Sequence, residues 1–206
     1  TVLFDGTSLD GWQHQSGKDA QWKLTDGAMQ VTRGNGNLVS KAQLEGDFLL
    51  HVEFKVPETP ATNGWQNRGN SGVYVQGRYE VQVLDSLGLE LKSGDCGGIY
   101  GKHVADVNAC KPAGEWQSYD IEFRSARLDA DGKKTEHVRM SVWHNGLKIH
   151  DDVEVNGTTT AAMAGRTGPL GFLIKLAHCL GSMHLTTRRG CLAVGKSGRC
   201  QHDPRL

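Results

Sequence analysis

The chain has 206 residues, with 23 Lys plus Arg against 23 Asp plus Glu, so no net field draws it to nucleic acid or an anionic membrane. That length accommodates one domain with a real core, and no uninterrupted apolar run approaches the roughly 20 residues that span a bilayer. Glycine, at 27 residues, is nearly twice its usual share of about 7 %, which points to a turn-rich β-protein.

The opening TVLFDGTSLDGW does not read as a signal peptide. Gly34 to Gly36 (GNG) is not followed by a helical pattern, which rejects a nucleotide fingerprint. Alternation is clear in DFLLHVEFKV: Phe48, Leu50, Val52, Phe54 and Val56 share one face, and His51, Glu53 and Lys55 the other. In NRGNSGVYVQGRYEVQVLDS, Val81 and Val83 read as the apolar face of a strand and Glu80 with Gln82 as its polar face. Asp85 is out of phase with them unless a bulge or the strand end turns it round. A hairpin would set residues 71–77 beside 78–85. Farther on, Tyr119, Ile121 and Phe123 alternate with Asp120, Glu122 and Arg124. HVRMSVWHNGLKIH places Val138, Met140 and Val142 on one face. Asn145-Gly146 follows as a tight hairpin signal, then Leu147 and Ile149. SGKD, RGNGN, PETPATNG, DADGKK and VNGTTT separate these runs as turns. Many strands and few helices predict an all-β fold of two packed antiparallel sheets.

After residue 172 the composition shifts. From 173 to 206 there are six Lys or Arg and one acidic residue, Asp203, and alternation is poor. The expected organisation is a β-sandwich over 1–172 and an atypical basic, cysteine-containing tail over 173–206. Of five cysteines, Cys96 and Cys110 flank CGGIYGKHVADVNAC and are expected to pair as a disulfide, with two independent buried thiols as the alternative. Oxidised, they would close a loop worth about 3 kcal/mol. Cys179, Cys191 and Cys200 match no zinc ribbon or finger, and an oxidising, exported location is favoured.

Glu80, Gln82 and Asp85 are the chemical candidates. Two carboxylates a strand step or two apart can divide acid and base duties if their environments separate their pKa values. The amide between them can donate to and accept from a sugar hydroxyl. The structural alternative is a solvated polar face. Arg68 and Asn70 lie one strand earlier. Lys102 could stabilise an oxyanion and His103 could move protons near neutral pH. Each could equally belong to an exposed loop. Trp116 could stack on a sugar or belong to the core. The nine histidines show neither HExxH nor a paired metal spacing.

LFDGTSLDGW, RGNSGVYVQGRYEVQVLDS, CGGIYG, the Cys110–Trp116 stretch with QSYDIEF, and HNGLKIHD together resemble the 3-keto-disaccharide hydrolase domain family. The resemblance covers about residues 2–172. It implies a concanavalin A-like, laminin G-like jelly-roll sandwich in exported or periplasmic proteins that act on carbohydrates. It also implies an activity: a C3 ketone acidifies the C2 hydrogen, a base removes it, the C1 oxygen leaves, and water adds. The carried-over positions are Arg68, Asn70, Glu80, Gln82, Asp85 and Tyr100. Glu80 or Asp85 would be the base, Arg68 or Lys102 would meet the oxyanion, and Gln82 with Asn70 would hold the sugar. No redox cofactor is implied, because another enzyme makes the ketone. A structural calcium would suit the fold, although no ligand set is legible. After Gly-Pro-Leu the chain departs from the family's pattern, and His178 or His184 would have to replace the missing histidine. A non-catalytic carbohydrate-binding module is the second reading. A retaining glycosidase is the third, because Glu80-x-Gln-x-x-Asp85 resembles the paired-acid strand of β-glucanases. Gln82 stands there where an acid is expected.

Overall fold

The computed structural model describes residues 2–60 and 64–159 in full, and 171–176 and 184–186 as backbone strands. The strands are β1 (Trp12–His14), β2 (Lys23–Thr25), β3 (Ala28–Gln30), β4 (Leu38–Gln43), β5 (Phe48–Lys55), β6 (Ser71–Val75) and β7 (Tyr79–Val83). They continue as β8 (Trp116–Arg124), β9 (Arg127–Leu128), β10 (Lys134–Glu136), β11 (Val138–His144), β12 (Leu147–Val155), β13 (Gly171–Leu176) and β14 (His184–Thr186). One sheet has five strands in the order β1-β4-β13-β6-β7, the other seven in the order β12-β11-β8-β5-β14-β3-β2, and β9 with β10 forms a small ribbon. All their pairings are antiparallel. A single turn of 3-10 helix, Trp65–Asn67, precedes β6. This is the all-β sandwich that the alternation predicts.

Side-chain alternation builds the core. Along β5, buried and half-buried positions alternate through all eight residues, which drives Phe48, Leu50, Val52 and Phe54 inward. Tyr119, Ile121 and Phe123 of β8 do the same beside them, with Phe48 stacked on Phe123 at 5.0 Å. From the other sheet, Leu38, Val73, Val75, Val81 and Val83 complete the cluster. Each such side chain, fully buried, contributes about 1.5–3 kcal/mol.

The hairpin at Asn145-Gly146 forms as expected, with both residues at positive φ (51° and 81°), the geometry a two-residue hairpin turn requires. Leu147 departs from the expected apolar face and is 55 % exposed. The β11–β12 register shifts twice, and Asp152 takes φ 47°. These irregularities fall on β12, where the successive residues Ile149 and His150 are both buried, while His144 stays in phase with Val138, Met140 and Val142, points inward and is buried. The boundary expected at residue 172 falls inside β13, whose pairing with β6 runs to Leu176. His184 lies in β14, between β3 and β5. Cys179, Cys191, Cys200 and His178 lie outside the described residues.

Candidate functional site

The site is built on the β6–β7 hairpin. Gln76 and Gly77 turn the chain at φ 50° and 62°, closed by the Arg78 N–H donating to the Val75 carbonyl at 3.0 Å. The register sets Tyr74 opposite Glu80 and Gly72 opposite Gln82. Because Val73, Val75, Val81 and Val83 face the core, Gly72, Tyr74, Glu80 and Gln82 occupy the opposite face of the five-stranded sheet. There the Tyr74 hydroxyl donates to Glu80 Oε2 at 2.6 Å. Burial first, and then the Glu80 charge and hydrogen bond, hold the Tyr74 phenol well above its ordinary range, with Tyr100 adding to the effect. Gly72 leaves the room for this carboxylate: a Cβ at that position would stand 2.2 Å from Glu80 Oε1. The Glu80 backbone is fixed as well, its N–H donating to Thr159 Oγ1 at 3.2 Å and its carbonyl accepting from Tyr100 N–H at 3.0 Å. The solvated polar face offered as the structural alternative does not form, because Glu80 and Gln82 are both at 0 % exposure and the face is closed.

Asp85 lies just beyond the end of β7, and its backbone N–H donates to the Arg68 carbonyl at 2.8 Å. Its carboxylate pairs with Arg68 Nη2 at 2.7 Å. The two carboxylates therefore have different partners. The charge of Glu80 acts on Tyr74, whereas that of Asp85 acts on the Cys96 and Cys110 thiols. Between them runs an amide chain. Gln82 Nε2 and Gln66 Nε2 both donate to the Gly94 carbonyl at 3.2 Å, and Asn70 Nδ2 donates to Gln66 Oε1 at 2.7 Å. Gln82 Oε1 and Arg68 Nε are buried without a hydrogen-bond partner. Trp65 Nε1 donates to Asp95 Oδ1, and Lys92 Nζ lies over its ring, 5.5 Å from the centroid.

The structure thus gathers Arg68, Asn70, Gln82 and Asp85 at one end of the hairpin and Tyr100 beside Glu80. Other expected members stand elsewhere. Lys102 Nζ donates to the Asn156 carbonyl at 2.9 Å and His103 Nε2 meets the Glu154 carbonyl at 2.8 Å, so both fasten their loop to the end of β12. Trp116 begins β8 opposite Lys55 on the outer face of the seven-stranded sheet, with Lys55 Nζ 5.3 Å from its ring centroid. That is the far side of the sandwich from Glu80, and Trp116 is neither a core residue nor part of this site. The same outer face carries a polar cavity of about 220 Å³ lined by Glu122, Arg124, Arg139, Ser141, Asp151 and Asp152. Its arginines are already paired with acids: Arg139 with Asp152 at 2.9 Å and Arg124 with Asp152 at 3.6 Å.

Cys96 and Cys110 are free thiols with their sulfurs within 4.8 Å of each other, so the expected disulfide is not formed in this structure. Among the described residues, the one group of potential metal ligands is Cys96, Cys110 and His144. Its sulfur donors do not suit calcium, which takes oxygen. Sequence reading missed Tyr74, Gly72, Gln66 and Thr159. Tyr74 and Gly72 were within reach, since the Gln76-Gly77 turn fixes a register that places them across from Glu80 and Gln82. Thr159 is 79 residues from Glu80, and no local signal carries that contact.

A structure from Parabacteroides distasonis, carried under the name of a glycosyl hydrolase, is 32 % identical, with a TM-score of 0.80 over 90 % of this chain and 80 % of that one. A second from the same organism, similarly named, is 19 % identical, with a TM-score of 0.63 over 90 % of each chain, and shows the shared fold. No match was found among curated proteins. The sequence profile of the 3-keto-alpha-glucoside-1,2-lyase-like domain matches residues 1–176, a span that holds the β6–β7 hairpin with Glu80. The chain belongs to that family and is a carbohydrate-active protein.

Proposed function

We propose that the chain cleaves 3-keto-glycosides by removing the C2 proton and eliminating the C1 oxygen, with water then adding at C1. The observation that carries this reading is the Glu80–Tyr74 pair on the sheet face opposite the core, in a chain of this family. The C3 ketone lets the C2–H electron pair move into an enolate. The Glu80 carboxylate, closed from solvent in this structure, takes the proton when the sugar is admitted to its face, oriented by the Tyr74 hydroxyl. Collapse of the enolate expels the C1 oxygen, which takes up the proton held by Glu80, and water then adds its oxygen at C1 and a proton at C2 to complete a net hydrolysis. Asp85 is assigned a positioning role: paired with Arg68, it holds the guanidinium that would meet the enolate oxygen. The half-buried Tyr100, beside Glu80, is the group that would meet the sugar, and the closed-off Gln82, bonded to the Gly94 carbonyl, holds the floor beneath the site with Asn70. Lys102 and His103 support the loop.

The test offers a 3-keto-glucoside and its unoxidised parent and follows aglycone release. Cleavage of the keto form alone supports the proposal, and Glu80→Gln should then lower kcat about 10²–10⁴-fold. Cleavage of the parent alone would indicate a conventional glycosidase. A second reading, a non-catalytic carbohydrate-binding module, is favoured by the 0 % exposure of Glu80 and Gln82. It predicts saccharide binding with no cleavage of either compound.

A further inference from the structure

A second chemical cluster lies inside the sandwich, away from the Glu80–Tyr74 face. Cys96, Cys110 and His144 bring two sulfurs and an imidazole nitrogen within 4.8 Å of one another. Cys96 and His144 are buried, and Cys110 is half-buried. The ring of His144 is fixed by Tyr119, edge-on at 4.8 Å, and by Phe54, stacked at 5.9 Å.

Hydrogen bonding settles its tautomer. Gln117 Oε1 accepts from the Lys111 backbone N–H at 2.9 Å, so it is the carbonyl end of that amide. His144 Nε2, 2.9 Å from the same oxygen, must therefore carry the ring proton and donate it. Nδ1 is left with a lone pair. It is buried, has no hydrogen-bond partner, and lies 3.9 Å from where a Cβ on Gly97, the residue after Cys96, would stand. A buried acceptor without a donor costs about 1–3 kcal/mol. A disulfide would not satisfy it, because a disulfide has no proton to give. A metal ion would. The donation of Nε2–H to an amide oxygen is also the outer-shell contact that metal-binding imidazoles characteristically make.

We propose that Cys96, Cys110 and His144 Nδ1 form a buried S₂N site for one thiophilic cation of the Cu(I)/Zn(II) class. Metal–sulfur bonds of about 2.3 Å and metal–nitrogen bonds of about 2.0–2.1 Å require ligand atoms roughly 3.5–4 Å apart, so the present group contracts modestly to bind. Three donors satisfy Cu(I). Zn(II) would draw on the Tyr119 hydroxyl oxygen, 3.1 Å from Cys96 Sγ, as a fourth. Binding converts the thiols to thiolates and releases their protons to solvent. The half-buried Cys110 gives the approach from outside.

The experiment uses the full chain with Cys179, Cys191 and Cys200 replaced by serine, reduced and stripped with chelator. Cu(I) is titrated against bicinchoninate, and Zn(II) against a chromophoric chelator. The expected result is one equivalent bound and a Tm raised by several degrees at saturation, with the stronger competitor identifying the preferred ion. Cys110→Ser should lower affinity at least about 100-fold, and Gln117→Leu about 10–100-fold through the outer shell. Because a core variant can fail to fold, nitrogen NMR of the unsubstituted histidines supplies an independent readout: only one Nδ1 resonance should move on metal addition. The proposal is overturned if the folded, reduced protein retains neither ion, if Cys110→Ser binds as tightly as its parent, or if mass spectrometry shows loss of two hydrogens to a Cys96–Cys110 disulfide while metal is present.

Discussion

Gly72→Ala perturbs the carboxylate at the centre of the site without touching a chemical group. The new Cβ would stand 2.2 Å from Glu80 Oε1, 2.8 Å from Cδ and 2.9 Å from Cγ, all closer than real contacts allow. Gly72 is not among the positive-φ glycines, so an alanine there meets no backbone strain, and the three atoms nearest its Cβ all belong to Glu80. The carboxylate cannot simply swing away, because Tyr74 holds Oε2 at 2.6 Å and the site is closed. Overpacking of this kind costs typically 1–3 kcal/mol. At about 2 kcal/mol, a chain of this size should lose about 4–8 °C in Tm. Glu80→Asp shortens the side chain by one methylene and withdraws it from the new methyl group. The double variant should therefore be more stable than the two single losses predict when added, with a coupling of about 0.5–3 kcal/mol. Thermal melts of the four proteins measure the cycle. Strict additivity, or a Gly72→Ala protein that melts with its parent, would refute the packing argument. The same variant should lose cleavage of the keto substrate if Glu80 is the base.

Tyr74→Phe removes the donor to a buried carboxylate and should cost about 1.5–3 kcal/mol, read by denaturant unfolding; no change would mean that Glu80 is satisfied by other contacts alone. His144 is pushed down to about 4, first by burial and then by the Lys111 charge. Its folded pKa lies below the unfolded value, so the unfolded chain takes up the proton first and stability falls as pH drops from about 6.5 to 4. The loss is about 3 kcal/mol, and His144→Gln should flatten that part of the pH–stability curve. His51 runs the opposite way: its hydrogen bond to Asp120 raises its pKa, so its contribution is present below about 6.5 and fades as pH rises through the folded value. Comparing His51→Gln with its parent across that range checks the sign. Trp116→Ala, on the far sheet, should leave saccharide binding unchanged in a titration.

The sandwich was legible because its inward faces alternate without interruption: Phe48 to Val56 and Tyr119 to Phe123 sort by period two whichever strands they pair with. The β6–β7 hairpin was legible for the same reason. Asp85 was less so. Strand phase alone sets it against Glu80 and Gln82, and only the contact with Arg68, made after β7 has ended, shows where its charge is spent. Trp116 and Lys102 could not be placed, because each answers to a segment distant in sequence: Trp116 to Lys55 across the sheet, and Lys102 to the carbonyl of Asn156. The burial of Glu80 was illegible in principle, since a polar residue on a strand's outer face reads as solvated until something is seen to lie against it.

β13 sits between β4 and β6, and β14 between β5 and β3. Both sheets thus keep a vacant central slot until the segment from 171 to 186 has been synthesised. On the ribosome, a nascent chain halted before that point would present four bare strand edges, two per sheet, each a template for a neighbouring chain. Folding then depends on contacts between segments far apart in sequence, which makes it slow. The two late strands act as the keys of two arches, closing gaps that no earlier segment can fill.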